Sequence, residues 1–129
     1  FYPDRAVLKR SDTSARLLAV FRCHEEYDRA RSITLRWKLE NVMRDERFAV
    51  HLNGQSIAPD QQQVRYAANG RDARVHTVKL GSYLEYEVAV RPNQLQRGEN
   101  RLEVAPVHLV PELGTTIRLC EIELDVRYP

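Results

Sequence analysis

Residues 32–40, SITLRWKLE, alternate without interruption: Ile33, Leu35, Trp37 and Leu39 fall on one parity, Thr34, Arg36, Lys38 and Glu40 on the other. Successive side chains of an extended chain point to opposite faces, so this run is a β-strand with one face in a core and one in water. The same period returns in Phe48, Val50 and Leu52, in Leu84, Tyr86, Val88 and Val90, and in Leu102 and Val104. Leu35, Leu39, Val42 and Met43 also fit helical spacing, but β-branched Ile33 and Thr34 and the strict alternation through Leu39 decide for a strand. Short helical turns fit only at 41–46 and 24–30. The whole reads as an all-β chain of about eight or nine antiparallel strands.

The final run, TTIRLCEIELDVRY, changes parity part-way. Ile117 and Leu119 are apolar at odd positions, Ile122, Leu124, Val126 and Tyr128 at even ones. One extra residue in a strand reverses the facing of everything after it, so a β-bulge is predicted near 119–121. Asn53-Gly54 predicts a two-residue hairpin, because both residues tolerate positive φ. Residues 80–82 read as a second short connection, and 91–100 and 110–116 as longer loops. The longest polar segment, 58–73, is expected to cap one end of the sandwich.

At 129 residues the chain is one domain, 1–129, large enough for a two-layer core. It opens at Phe1, as a module excised from a larger multidomain protein or a mature fragment would. All but Lys9, Lys38 and Lys79 of its 20 cations are Arg, and the net charge is +2. The signs are interspersed, so no basic stripe points to nucleic acid. No apolar run approaches the ~20 residues of a membrane span. Cys23 and Cys120 lack metal-ligand spacing. They form either a disulfide between an early strand and the last one or two buried free thiols.

Reactive chemistry is hard to assemble. His24, His51, His76 and His108 are scattered, and the neighbours Cys23 and His24 point to opposite faces of a strand. The paired carboxylates Glu85/Glu87 and Glu121/Glu123/Asp125 alternate with apolar residues and read as solvated sheet faces, so no glycosidase pair is expected. No phosphate-binding glycine loop and no acidic calcium loop is present. No metal and no cofactor is therefore expected, although a calcium ion held by backbone carbonyls stays open. Binding by loops remains. Trp37 shares the parity of the core residues Ile33, Leu35 and Leu39, whereas Tyr27 and Tyr66 lie in polar segments suited to stacking on sugar C–H surfaces. Counting strands places loops 41–47, 58–73 and 92–99 at one end of the sandwich. That end gathers Tyr66, Asn69, Arg71, Asn93, Gln94 and Arg97. Tyr66 is the expected platform, with Asn69, Arg71, Asn93 and Arg97 as hydrogen-bonding groups. Loops 24–32, 53–54, 81–82 and 108–115 fall at the opposite end, with Tyr27 as a second ligand-binding candidate.

FAVHLNGQSI, then LQRGENRLEV, then IRLCEIELDVRY resembles the galactose-binding-like jelly-roll domains, found as accessory modules of glycoside hydrolases and other polysaccharide-active enzymes. The matching positions are Leu52-Asn53-Gly54, then Leu95, Gly98, Asn100, Leu102 and Val104, then the alternating last strand. The resemblance spans about residues 33–128 and implies a jelly-roll β-sandwich. It further implies a non-catalytic, carbohydrate-binding module whose partners are a polysaccharide or glycan and a catalytic domain of the same parent chain. An extracellular or periplasmic location follows from such a role. The alternative it allows is a structural domain that packs on a catalytic domain without binding sugar.

Overall fold

The computed structural model describes residues 2–5, 7–9, 16–23, 29–67, 82–109 and 116–128. Ten strands form among them: β1 (Tyr2–Arg5), β2 (Val7–Lys9), β3 (Leu17–Cys23), β4 (Ser32–Glu40), β5 (Arg47–Leu52), β6 (Gln55–Ser56), β7 (Gln62–Ala67), β8 (Tyr83–Ala89), β9 (Gly98–His108) and β10 (Thr116–Arg127). They make two five-stranded antiparallel sheets, ordered β1-β3-β9-β5-β6 and β2-β10-β4-β8-β7. The strands beyond the expected eight or nine are short ones, notably the two-residue β6.

The parity of the sequence becomes the core. Leu17, Ala19, Leu35, Trp37, Leu39, Leu52, Leu102, Val104 and Ile117 are each at most 1% exposed. Trp37 sits on β4, the middle strand of its sheet, and stacks on Tyr86 of β8 with ring centres 5.1 Å apart. The outward parity of the same sheet carries ion pairs: Arg36 reaches Glu87, Glu123 and Asp125, Lys38 reaches Glu121, and Arg65 reaches Glu85. The carboxylates read as a solvated sheet face are indeed held there.

The predicted bulge forms. Cys120 pairs with Lys38 and Glu123 with Arg36, so Glu121 and Ile122 together face the single residue Trp37. Glu121 takes φ +54, a left-handed conformation unusual for a residue with a Cβ. After it, Ile122, Leu124 and Val126 turn back toward the core.

The hairpin and the later glycine turn are one structure. Asn53 and Gly54 take φ +53 and +81, closing β5 on β6 with Leu52 opposite Gln55. Gly98, at φ +93, starts β9 beside them. Fully buried Asn100 joins the two: its Oδ1 accepts from Gln96 N at 2.9 Å and Asn53 Nδ2 at 2.8 Å, and its Nδ2 donates to Gln96 O at 2.8 Å. Asn53 also accepts from Arg101 N at 2.8 Å. Two 3₁₀ turns, Pro59–Gln61 and Pro92–Gln94, close the same end, tied by Gln61 Nε2 to Gln94 Oε1 at 2.9 Å. This is the hairpin end of the sandwich. Loop 41–46 and the strand termini Ala67, Tyr83, His108 and Thr116 form the opposite, loop end.

Cys23 and Cys120 lie on different sheets and form no disulfide. Cys23 is buried, whereas Cys120 is half-buried on the last strand. Of the two sequence readings, the structure has the unbonded one.

Candidate functional site

Loop 41–46 is held more firmly than its polar sequence suggests. Asn41 takes φ +64 and donates its N–H to Ser82 O at 2.8 Å, and Val42 plugs the core at 0% exposure. Fully buried Glu46 accepts the Met43 N–H at 2.8 Å while its own N–H returns to Met43 O at 3.1 Å. Arg47 then clasps the turn from outside, donating Nη1 to Arg44 O at 2.8 Å and Glu46 O at 3.0 Å. The outcome is a fixed turn, without the helical turn that its residues allow.

That turn holds Arg44 over the ring of Tyr66 on β7, guanidinium carbon 4.7 Å from the ring centre. A cation over an aromatic face is attracted by the ring quadrupole. β7 is the edge strand of its sheet, and its even positions Gln62, Val64 and Tyr66 look toward the open side of the sandwich. A cavity of about 440 Å³ opens there, with Phe48, Leu84 and Tyr86 contributing apolar surface and Arg44, Arg47 and Gln62 polar groups. Gln62 is braced by donating to Ile57 O at 3.0 Å. Burial pushes the Tyr86 hydroxyl up to about 12, with the nearby Arg47 charge opposing, so it stays a neutral phenol. Ring faces, apolar floor and fixed donors suit the two-sided surface of a sugar ring, C–H patches above and hydroxyls at the rim.

A second, larger cavity of about 550 Å³ lies on the outer face where the bulge dents the sheet, lined by Arg36, Lys38, Glu85, Glu121 and Glu123. Its cations are already engaged. The hydrogen bond to Glu121 at 2.7 Å holds the Lys38 ammonium above its ordinary range, and Lys38 also covers the Tyr83 ring at 4.6 Å. This face is a mutually neutralised ion network. On the other sheet, Ser56, His51 and Glu103 stand in register across three strands. They do not form a catalytic row, because His51 Nδ1 has no hydrogen-bond partner and Glu103 pairs with Arg16 at 2.9 Å. Among the described residues no group of His, Cys, Asp and Glu is placed to hold a metal.

Against the two-sheet sandwich and its Asn-Gly and Gly-x-Asn turns, the comparison with protein families is decisive. The family described as CBM-like, polysaccharide lyase family 4, domain III, matches residues 10–119. The chain belongs to this family. No curated protein and no solved structure matches the chain closely enough to add to it. The domain is thus a carbohydrate-binding-module-like unit of carbohydrate-active enzymes, and the enzyme class named by its family is a lyase, where the motif resemblance named glycoside hydrolases first.

The CBM-like domain does not gather the sequence-predicted residues as expected. Tyr66 lies near the loop end, on β7 opposite Leu84. Asn93 sits in the 3₁₀ turn Pro92–Gln94 and Arg97 just before β9, both exposed at the hairpin end. Tyr27, Asn69 and Arg71 lie outside the described residues. The grouping fails for one reason: segment 58–73 is not a single loop, since β7 runs through it from one end of the sandwich to the other. Arg44, Arg47 and Gln62 were missed because nothing in NVMRDERF or DQQQ marks a surface side chain as facing a cleft. The alternation of Val64 and Tyr66 was the one available sign of β7.

Proposed function

We propose that this CBM-like domain binds polysaccharide in the cleft between loop 41–46 and edge strand β7, as an accessory to a polysaccharide-active catalytic domain outside the cell or in the periplasm. Tyr66 is the stacking platform, and Arg44, Arg47 and Gln62 read hydroxyl or carboxylate oxygens at its rim. Asn69 and Arg71 follow β7 directly in the chain and are the next residues we assign to this ligand. The observation that carries the reading is the Arg44–Tyr66 pair lying inside a cavity of about 440 Å³ on a braced loop. The affinity is expected to be weak, because a small open site removes little water and must offset the loss of ligand freedom.

The test is retardation of the purified domain in native gels containing a panel of soluble polysaccharides. Tyr66→Ala and Arg44→Gln are each expected to abolish retardation, and Arg65→Gln, on the other face of the same strand, to leave it unchanged. Retardation that persists in both cleft variants would move the site. No retardation by any polymer would favour the alternative of a domain that only packs on its catalytic partner.

A further inference from the structure

The interspersed charges of the sequence are sorted by the fold. Arg22, Arg29, Arg31, Arg91, Arg97 and Arg101 are all exposed, and all lie at or beside the hairpin end. The links that define this end place them together. Arg31 N–H donates to Arg127 O at 2.7 Å, Arg22 stands opposite Glu99 and Arg101 opposite Val20 in the β3–β9 register, and Arg91 and Arg97 flank the 3₁₀ turn Pro92–Gln94. None of the six has an ion pair with a described acid. At the same end Arg127 pairs with Asp125 at 3.5 Å; elsewhere Arg16, Arg36, Lys38 and Arg65 have ion pairs, and three exposed arginines, Arg44, Arg47 and Arg118, have none with a described acid, half the number at the hairpin end. The exposed described acids at the hairpin end are Asp60 and Glu99.

Six like charges on one end repel one another and work against the fold, a cost that an opposite surface relieves. We infer that the hairpin end is a docking surface for an acidic protein surface, separate from the sugar cleft. Two observations favour protein over a polysaccharide or nucleic acid. The arginines come from two neighbouring strands of one sheet and from the connecting segments around them, a broad face in place of a groove, and neither cavity described above opens there. The aromatic residue beside them, Tyr128, is 49% exposed, and Arg with Tyr is the pairing enriched in protein–protein contacts. Arginine's planar fork suits bidentate capture of Asp and Glu carboxylates.

Immobilised poly-L-glutamate is the probe. The domain is expected to be retained at low salt and released as salt rises. Arg29→Gln, Arg91→Gln and Arg97→Gln combined should weaken retention about tenfold. Arg16→Gln, Arg65→Gln and Arg118→Gln combined remove the same charge from elsewhere and should weaken it much less. Equal loss in both sets would overturn the proposal, since net charge alone would then explain retention. Tighter retention on polygalacturonate or duplex DNA than on poly-L-glutamate would overturn it in favour of those polymers. Glu25, Glu26 and Asp28 stand between Arg22 and Arg29 in the sequence and lie outside the described residues. A lowered melting temperature in the first set with unchanged retention would overturn docking and give the arginines to that segment.

Discussion

Asn100 shows how a short motif can be legible in sequence and yet have nothing to do with a ligand. Its side chain satisfies backbone groups of the 96–98 turn and orients Asn53 across the gap, all at 0% exposure. Asn100→Leu removes the partner of the Gln96 N–H, of the Gln96 and Gly98 carbonyls and of Asn53 Nδ2 in a half-buried turn, each lost hydrogen bond costing about 1 kcal/mol. We expect a loss of about 3 kcal/mol or more, read as a melting temperature lower by roughly 10 °C. Gly98→Ala is the informative comparison. A Cβ there meets nothing within 4 Å, so only the φ of +93 opposes it, at about 1–2 kcal/mol. Equal losses in the two variants would mean that the turn, and not the hydrogen-bond network, sets the stability of this end. The sequence announces both residues because turn chemistry is local. It does not announce Arg44, whose role depends on Tyr66, 22 positions away.

At the scale of elements, the bulge was readable and β7 was not, and the contrast has a physical cause. In β10 both halves of the strand touch the core, so the extra residue leaves a parity break in apolar residues. β7 lies at a sheet edge, half wet on both faces, and QQVRYA carries little alternation to read. The bulge yields a prediction. Glu121→Gly removes the left-handed penalty, worth about 1 kcal/mol, and with it an ion pair of an exposed Glu worth about 0–1 kcal/mol, at some gain in unfolded-chain freedom. Thermal melts should therefore shift by no more than a few degrees. Deleting Glu121 leaves Ile122 alone opposite Trp37 and joins Ile117 and Leu119 to Ile122, Leu124 and Val126 in one unbroken alternation, so the register with β4 is kept and the variant should still unfold cooperatively, near the parent. A deletion variant that loses cooperative unfolding would show that the bulge itself, and not only the facing of the two strand halves, is needed to close the core.

For the whole molecule, class and motifs were legible, but the assignment of loops to ends rested on an exact strand count. One unrecognised strand moved Tyr66 away from Asn93 and Arg97 and hid both the cleft and the clustering of arginines. The shared core also sets how the domain responds to alkali. Tyr86, 3% exposed against Trp37, has its hydroxyl pushed up to about 12 by burial, and Cys120 is pushed up to about 12 by burial and by its hydrogen bond to Glu40. Unfolded, these groups titrate near 10 and 8.5. Between those values and about 12 the native state keeps protons that the unfolded state has lost, so stability falls as pH rises. The decline should begin near pH 9 from Cys120 and steepen above about pH 10, where Tyr86 alone contributes a slope of about 1.4 kcal/mol per pH unit. Urea unfolding at pH 8, 10 and 11 measures it. Tyr86→Phe should flatten the segment above pH 10 while leaving the earlier fall intact, and Cys120→Ala should remove the earlier fall. If the parent and Tyr86→Phe lose stability in parallel above pH 10, the Tyr86 hydroxyl reaches water through the cleft and ionises there without opening the fold.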